Sequence, residues 1–205
     1  MIDPTLERER ALWAKGFEVV AGVDEVGRGP IAGPVIAGAV VFAPGQEPID
    51  GLRDSKLLTA KERERLAHEV RRAALAWALG GASVREIDRI NIRRATALAM
   101  RRALNHLQRD PDYVLLDGHA LPELDREHES VIDGDALCQT VSAAAVLAKC
   151  ARDRLMARLA PRYPDFGWDH NKGYATLDHL SALSRAGPTP HHRITFSPIA
   201  QPSLF

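Results

Sequence analysis

The sequence has little cysteine, and this scarcity excludes two kinds of small-protein scaffold. Only Cys138 and Cys150 occur in 205 residues, and they match no C-x-x-C pattern. We therefore expect neither a disulfide framework nor a cysteine-rich zinc site. Both cysteines are interpreted as small buried residues of a reduced, cytoplasmic protein.

Long hydrophobic runs are also missing. The N-terminal segment, MIDPTLERER, lacks the basic-then-apolar order of a secretion signal. The longest apolar stretch, 30–44, is interrupted by glycine and proline. It is also shorter than the roughly 20 residues that cross a bilayer. These features predict a soluble protein.

The chain has no net charge, because 27 lysines and arginines balance 27 acids. Proteins that bind nucleic acid are often basic, but a group of functional carboxylates could balance a basic surface. The glycine-rich stretch GRGPIAG lacks a following G-K-[ST], which excludes a P-loop nucleotide site.

The order of apolar patterns predicts an α/β protein with a mixed sheet and helices packed on it. We find no repeat or linker and predict one domain over 1–205, with a core of about 17–160 and a C-terminal helical region and tail of about 161–205. Strands are predicted in 17–26, 34–43 and 113–118, with a short one in 80–87. The stretch 129–135 is predicted to form a short strand followed by acids in a turn. Helices are predicted over 59–79, 95–108, 139–160 and 177–187, with a loop over 163–176 and an irregular tail.

Four acids follow apolar, strand-like runs: Asp24, Glu25, Asp117 and Asp135. A buried carboxylate without a partner costs several kcal/mol or more, so acids at three strand ends indicate a shared cation. Oxygen ligands favour Mg²⁺ or Mn²⁺, and two such ions about 4 Å apart can promote phosphodiester hydrolysis. The alternative is that each acid forms a turn or caps a helix, and we assign Asp133 to that class.

Asp24 and Glu25 are adjacent, and neighbouring side chains on a regular strand point to opposite faces. If both acids serve one ion, the strand must bend or end there. Gly27 and Gly29 follow directly and provide the necessary backbone freedom.

These residues and their neighbours resemble a known family, type 2 ribonuclease H, also called ribonuclease HII. The resemblance runs from about residue 22 to 198. It is carried by six blocks in the family's order: DEVGRGPIAGPV, DSKLLTAKERERL, LLDGHA, SAAAVLAKCARDRLM, YPDFGWDHNKGYAT and GPTPHHRITFSP.

The resemblance implies a ribonuclease H-like fold, with a five-stranded mixed sheet flanked by helices and a C-terminal helical region. It implies endonucleolytic hydrolysis of the RNA strand of RNA–DNA hybrids. It also implies incision 5′ of ribonucleotides embedded in duplex DNA, leaving 3′-hydroxyl and 5′-phosphate ends, as in ribonucleotide removal during repair. The family's metal-binding and catalytic carboxylates correspond to Asp24, Glu25, Asp117 and Asp135, with two Mn²⁺ or Mg²⁺ ions.

The resemblance also implies how the substrate is read. Gly27, Arg28 and Gly29 correspond to residues that contact the 2′-hydroxyl at the RNA–DNA junction, the group that distinguishes RNA from DNA. Tyr174 corresponds to a tyrosine that stacks on the junction sugar. The alternatives are a tight turn with an exposed arginine, and ordinary packing of the tyrosine.

Three further residues are predicted to contact the substrate. Lys56 and Lys149 resemble phosphate contacts, which position a duplex without reading its sequence. Lys149 could instead pair with Asp153 along one helix face. Ser142 could bind a phosphate or occupy a place that requires a small residue.

Some positions in the matching blocks have no derived role or depart from the family. His191, His192 and Arg193 fall in the last block, and a structural histidine is the default interpretation. Cys150 and His119 replace residues that are commoner in the family. None of these differences removes a predicted ligand.

The tail QPSLF resembles a short Q-x-x-L-F peptide that binds the bacterial sliding clamp. Gln201, Leu204 and Phe205 would carry this contact, although Pro202 departs from the commonest form and a chance match is the alternative. We expect a monomer.

A non-catalytic hybrid-binding module is the competing functional class, and retention of all four acids argues against it. Ribonuclease HIII is the enzymatic alternative, but the first core strand begins too early for its expected extra N-terminal domain.

Overall fold

A five-stranded mixed sheet lies at the centre of the molecule in the computed structural model, which describes residues 3–200. The strands are β1 (Val20–Val26), β2 (Val35–Val41), β3 (Ala76–Ala82), β4 (Tyr113–Asp117) and β5 (Glu129–Val131). Their order is β3-β2-β1-β4-β5. The three strands β3, β2 and β1 pair antiparallel, whereas β1, β4 and β5 pair parallel. The predicted five-stranded mixed sheet is confirmed.

Helices cover both faces of the sheet and form a C-terminal region. They are α1 (Glu7–Trp13), α2 (Ala60–Ala73), α3 (Val84–His106), α4 (Gly134–Leu137), α5 (Gln139–Leu159), α6 (Trp168–Asn171) and α7 (Leu177–Ala186). Short 3₁₀ turns occur at Pro122–Leu124, Ala160–Arg162 and Pro164–Phe166. Over residues 3–200, no helix combines the length and the apolar character needed to cross a bilayer.

Four apolar clusters hold these layers together, and the fourth lies under α1 around Leu12, Val20 and Leu115. One lies between the sheet and α3, and a second lies between the opposite face, α2 and α5. The third joins the end of α5 to α6 and α7 around Trp168, which is completely buried. The long helix α5 therefore connects the sheet to the C-terminal region.

Glycines allow the helices to approach the sheet closely. A Cβ atom at Gly22 would lie 2.2 Å from the main-chain carbon of Thr140, and one at Gly38 would lie 2.4 Å from the carbonyl oxygen of Ala144. Gly80 plays the same role against α3 on the other face. Small residues on the early turns of α5, among them Ala143, Ala144 and Ala145, are buried and complete this close approach.

Several predicted boundaries are wrong. The helix predicted over 59–79 ends at Ala73, because the chain turns extended at Ala74 and enters β3 beside β2. The third strand is therefore 76–82, not part of 80–87. Helix α3 begins at 84, where Ser83 and Glu86 form a capping box, rather than at 95. Helix α1 was not predicted, and the expected loop 163–176 contains helical turns.

Candidate active site

A cavity of about 270 Å³ opens where β1 and β4 end. All four predicted carboxylates line it: Asp24, Glu25, Asp117 and Asp135. Six residues predicted to contact substrate line it too: Gly27, Arg28, Gly29, Lys56, Lys149 and Tyr174. The structure thus brings together residues from opposite ends of the sequence.

The end of β1 places two acids at the mouth of this cavity. The strand pairs parallel with β4 only as far as Val23, but it pairs antiparallel with β2 as far as Val26. The strand therefore ends before Asp24 and Glu25 on one side only. The prediction that it bends or ends at the acids is correct for the β4 side and wrong for the β2 side.

The two acids leave β1 on opposite faces of the sheet. Asp24 shares a face with Gly22, which contacts α5, and the residue is 7% exposed. Glu25 lies on the α3 side, where it also lines a smaller cavity with Thr96 and Met100. Both still reach the same opening because they stand at the end of the β4 ladder.

The remaining acids come from β4 and α4. Asp117 is the last residue of β4, and its Oδ1 accepts a hydrogen bond of 2.8 Å from the Gly134 amide. Asp135 lies in the first turn of α4, not in an open turn after a strand as predicted. The bond from Gly134 fixes the start of α4 against β4 and so relates the two acids.

Crowding and burial disfavour negative charge in the cavity. Burial raises the pKa of Asp24, and Glu25 and Asp117 raise it further. Burial likewise raises the pKa of Glu25, although Arg28 opposes this effect. The pKa of Asp135 rises to about 6, first through burial and then through Asp117. A bound cation would relieve the same repulsion.

The donor set fits a hard divalent ion. Carboxylate oxygens are the ligands that Mg²⁺ and Mn²⁺ prefer. In the part of the chain that the structure describes, no three acidic, histidine or cysteine side chains already converge closely enough to hold a metal. Asp24, Glu25, Asp117 and Asp135 therefore line one cavity without meeting at a single point.

Two lysines face the carboxylates. Partial burial lowers the pKa of Lys56, but Asp54 and the cavity acids outweigh it and raise that pKa. Lys149 lies 2.7 Å from Asp153 on the same helix, and Arg63 lies 3.5 Å from that acid. The ion pair considered as an alternative role for Lys149 is present, and Lys149 also lines the cavity.

Some predicted residues are placed elsewhere. Ser142 is completely buried and does not line the cavity, and its Oγ has no hydrogen-bond partner among residues 3–200. This position favours the alternative that a small residue is required there. Gln201, Leu204 and Phe205, the predicted clamp contacts, lie outside the described residues.

The loop after β1 is held by a buried arginine that sequence reasoning did not single out for this role. Arg193 is fully buried and donates hydrogen bonds to the carbonyl oxygens of Gly27, Arg28 and Gly33 over 2.6–2.9 Å. Burial, with a contribution from Arg152, lowers its pKa to about 9. No sequence pattern signals these contacts, because their acceptors are main-chain atoms far away in the sequence.

Arg152 is a second such residue. It is completely buried and donates to the carbonyl oxygens of Ala32, Pro34 and Lys172 over 2.9–3.0 Å. Burial lowers its pKa. Arg152 therefore ties the loop 27–34 to the segment that carries Tyr174.

Tyr174 lies opposite that loop. The residue is 49% exposed, and its ring is 3.6 Å from the position of a Cβ at Gly29. His179 contacts the Tyr174 carbonyl oxygen at 2.8 Å and contacts His192 at 3.0 Å. His192 is buried and hydrogen-bonded, as expected for a structural histidine, whereas His191 is partly buried.

The cysteines are placed as the sequence predicts. Both Cys138 and Cys150 are buried free thiols. Burial raises the pKa of Cys138 to about 12 and that of Cys150 to about 11, which makes both thiols poorly reactive.

The chain also resembles known proteins over nearly its whole length. A family model described as Ribonuclease HII matches residues 21–198. A ribonuclease HII of Cereibacter sphaeroides strain KD131 is 51% identical over 197 residues, which cover 96% of this chain and 92% of that protein. A ribonuclease HII of Albidiferax ferrireducens is 48% identical and covers 97% and 95%.

Solved structures share the fold. The ribonuclease H2 of Pyrococcus horikoshii OT3 aligns with a TM-score of 0.75 and 27% identity, covering 89% of this chain and 96% of that one. The ribonuclease HII of a PCNA:RNase HII complex from Archaeoglobus fulgidus aligns with a TM-score of 0.71, 22% identity, and 87% and 95% coverage. Bst-RNase HIII in complex with Mn²⁺ aligns with a TM-score of 0.69, 17% identity, and 93% and 71% coverage.

The family match, the identity near one half and the ribonuclease H-like sheet agree with the cavity and its four carboxylates. The chain belongs to the ribonuclease HII family and is a hydrolase with ribonuclease H endonuclease activity.

Proposed function

We propose that this enzyme hydrolyses the RNA strand of RNA–DNA hybrids and incises duplex DNA 5′ of embedded ribonucleotides. The products would carry 3′-hydroxyl and 5′-phosphate ends, and the role would be removal of ribonucleotides during DNA repair and replication. One observation carries the proposal. The four carboxylates share a single cavity with the Gly27–Gly29 loop and Tyr174.

Asp24, Glu25, Asp117 and Asp135 would hold two Mn²⁺ or Mg²⁺ ions. When bound, such ions activate a water molecule and stabilise the leaving oxygen of a phosphodiester. Burial, and then the neighbouring carboxylates, raise the pKa values of Asp24, Glu25 and Asp135. These raised pKa values support the assignment, because a bound cation would offset both effects. The Mn²⁺ in the Bst-RNase HIII structure makes Mn²⁺ a natural first ion to test.

The other residues of the cavity would bind and orient the nucleic acid. Lys56 and Lys149 would contact phosphates beside the scissile bond, as cationic side chains do without reading sequence. Main-chain groups of the Gly27–Gly29 loop would contact the 2′-hydroxyl, and Tyr174 would stack on the junction sugar. No protein nucleophile is needed. The residues that line the cavity include no cysteine or threonine, and the one serine among them has no histidine beside it in the lining.

The test is cleavage of a labelled DNA duplex that contains one ribonucleotide, with Mn²⁺ or Mg²⁺. Wild-type protein should give one product cut on the 5′ side, and extension of that product by a DNA polymerase should reveal its 3′-hydroxyl. An all-DNA duplex should remain intact. Asp24→Asn should reduce cleavage to background. Asp133→Asn is the matched control, because Asp133 is exposed at positive φ, which asparagine tolerates, and should cleave normally.

Two outcomes would contradict the proposal. Binding of the duplex without cleavage under either metal would favour a non-catalytic binding module. Full activity in Asp24→Asn would remove the carboxylate cavity from the reaction.

We further propose a sliding clamp as a partner, bound through Gln201, Leu204 and Phe205. The Archaeoglobus protein was solved in complex with PCNA, which supports testing this partner. Deletion of 201–205 should abolish clamp binding in a titration, while a scrambled tail of equal length should also fail to bind. Unchanged affinity after deletion would refute the assignment.

We propose a monomer in the cytoplasm, and the two free thiols support a reducing compartment.

A further inference from the structure

Three segments distant in sequence join directly behind the cavity. They are the loop 27–34, the segment 172–174 and the segment 189–193. The Ile31 amide donates to the Gly173 carbonyl oxygen at 2.9 Å, and the Arg193 amide donates to that of Ile31 at 2.8 Å. The Gly33 amide donates to the His191 carbonyl oxygen at 2.9 Å. The loop thus bonds directly to the segment that carries Tyr174, and it also bonds to a third segment that does not line the cavity.

Arg193 fixes the loop side of this junction. A guanidinium group presents its N–H donors in a rigid plane, so its acceptors must occupy matching positions. Its Nε and one terminal nitrogen both donate to Gly33, at 2.9 and 2.7 Å, and the terminal nitrogens reach Gly27 and Arg28 at 2.6 and 2.8 Å. Two of these acceptors belong to residues that line the cavity. Arg193 therefore determines where the Gly27–Gly29 loop stands.

A chain of two histidines fixes the Tyr174 side. The Thr189 amide donates to His192 Nδ1 at 2.9 Å, so that nitrogen carries no proton and Nε2 does. His192 Nε2–H then donates to His179 Nε2 at 3.0 Å. Trp168 Nε1–H, which can only donate, also approaches His179 Nε2 at 3.2 Å.

With its Nε2 acting as acceptor, His179 carries its proton on Nδ1. That N–H donates to the Tyr174 carbonyl oxygen at 2.8 Å. The donors along this chain all find acceptors, and the N–H groups of His192 and Trp168 share the one lone pair of His179 Nε2. Both histidines are buried, and burial lowers the pKa of each, which favours the neutral form. The main chain of Tyr174 is therefore held from Thr189, four residues before Arg193.

We propose that Arg193 and the His192–His179 pair are positioning residues that hold the Gly27–Gly29 loop and Tyr174 in fixed relation across the cavity. This inference rests on the proposed function, in which those two elements read the ribonucleotide. Neither Arg193 nor the histidines line the cavity, so they act only through the residues they hold. The fixed relation sets the efficiency with which a single ribonucleotide is recognised.

A single embedded ribonucleotide offers its 2′-hydroxyl in only one register, so a loosened loop loses its only productive contact. A uniform hybrid offers a 2′-hydroxyl at each position and tolerates a less well-placed loop. The diagnostic quantity is therefore the ratio of kcat/KM for the single-ribonucleotide duplex to kcat/KM for the uniform hybrid. A loss of folded protein lowers both values equally and leaves this ratio unchanged.

The experiment compares Arg193→Lys, His179→Leu and His179→Asn with wild type. Lysine keeps the charge of Arg193 but not the planar fork. Leucine removes the His179 contact to Tyr174, whereas asparagine can keep an N–H donor near the Nδ1 position. Arg185→Lys is the matched control, because Arg185 is exposed on α7 and, among residues 3–200, its side chain bonds only to Ser181 of the same helix, at 2.7 Å.

We expect the ratio to fall about tenfold in Arg193→Lys and His179→Leu, the effect of losing about one charge-assisted or buried hydrogen bond. His179→Asn should recover most of the ratio, and Arg185→Lys should match wild type. If Arg193→Lys does not fold, the His179→Leu and His179→Asn pair still decides the question.

Two results would overturn the inference, and they differ. An unchanged ratio in the folded Arg193 and His179 variants, beside an active wild type, would refute the positioning role while leaving the proposed function intact. Failure of the wild-type enzyme to cleave either substrate would refute the proposed function, and the inference would fall with it.

Discussion

The close approach of α5 to the sheet predicts that Gly38→Ala will destabilise the protein. The new Cβ would lie 2.4 Å from the carbonyl oxygen of Ala144, whereas ordinary contact begins at 3.4 Å. The obstructing atom belongs to the helix main chain, so no side-chain rotation can relieve the clash. Helix α5 must move away from β2 by about 1 Å, and its buried contacts loosen as it moves.

The expected magnitude follows from two opposing effects. Adding a methyl group to a packed core costs about 1–3 kcal/mol, and a main-chain obstacle favours the upper part of that range. Replacing glycine by alanine returns about 0.4–1 kcal/mol, because the unfolded chain becomes less flexible. The free energy of unfolding should fall by about 2 kcal/mol, which lowers the melting temperature by about 4–8 °C for a domain of this size.

Thermal and urea unfolding of wild type, Gly38→Ala and Gly81→Ala would test this prediction. Gly81 is the matched control on β3, because its new Cβ would approach closely only the movable tip of the Ile36 side chain, at 3.0 Å, and would lie at an ordinary contact distance of 3.6 Å from the Val35 carbonyl oxygen. We expect Gly81→Ala to stay within about 0.5 kcal/mol of wild type. A similarly small change in Gly38→Ala would refute the reasoning about helix approach. Activity gives a second readout, since Gly38 is the cross-strand partner of Asp24.

Three further predictions concern the cavity. Burial and then neighbouring carboxylates raise the pKa of Asp24, so the folded metal-free protein loses stability as the pH rises above the ordinary value of 3.8 and through the raised pKa. Asp24→Asn removes that loss, so in EDTA at pH 7.5 the variant should unfold at a higher temperature than wild type. The difference in unfolding temperature should shrink towards pH 4. Equal unfolding temperatures of variant and wild type at both pH values would contradict this prediction. If Lys149 contacts a phosphate, Lys149→Gln should reduce the slope of log affinity against log salt by about 0.9, while Lys61→Gln on the exposed face of α2 serves as control. An unchanged slope of log affinity against log salt would mean that Lys149 contacts no phosphate and serves only in its ion pair with Asp153. Tyr174→Ala should lower kcat/KM on the single-ribonucleotide duplex by about tenfold and Tyr174→Phe much less, so equal losses would exclude a stacking role.

The sequence was sufficient for the strands that follow clear apolar patterns. Strands β1, β2, β4 and β5 and helix α5 lie where apolar and small-residue patterns predicted them. The boundary between α2 and β3 was missed because the stretch 74–79, ALAWAL, suits a helix and contains no glycine or proline. Pairing with β2, a contact between distant segments, makes it a strand. The start of α3 was predictable in principle, since Ser83 and Glu86 are a recognisable capping box.

The carboxylates could be predicted because a charged residue after an apolar run is conspicuous. Arg152 and Arg193 could not be assigned a role from sequence, because their partners are carbonyl oxygens that every residue possesses. Ser142 illustrates a different limit. The resemblance suggested a substrate contact, but the turn of α5 that carries it faces the sheet, and its side chain is buried there. Which face of a helix meets the sheet depends on packing rather than on one residue's type.

The inward orientation of two carbonyl groups has a consequence for the opposite side of the Gly27–Gly29 loop. In a trans peptide the N–H points away from the C=O. The carbonyl oxygens of Gly27 and Arg28 point at Arg193, so the amides of Arg28 and Gly29 are directed away from it. The buried positive charge polarises both peptide groups and strengthens their N–H groups as donors. If the loop contacts the 2′-hydroxyl as proposed, its amides already face an electronegative oxygen, and the cost of ordering the loop is met during folding rather than on encounter with the nucleic acid.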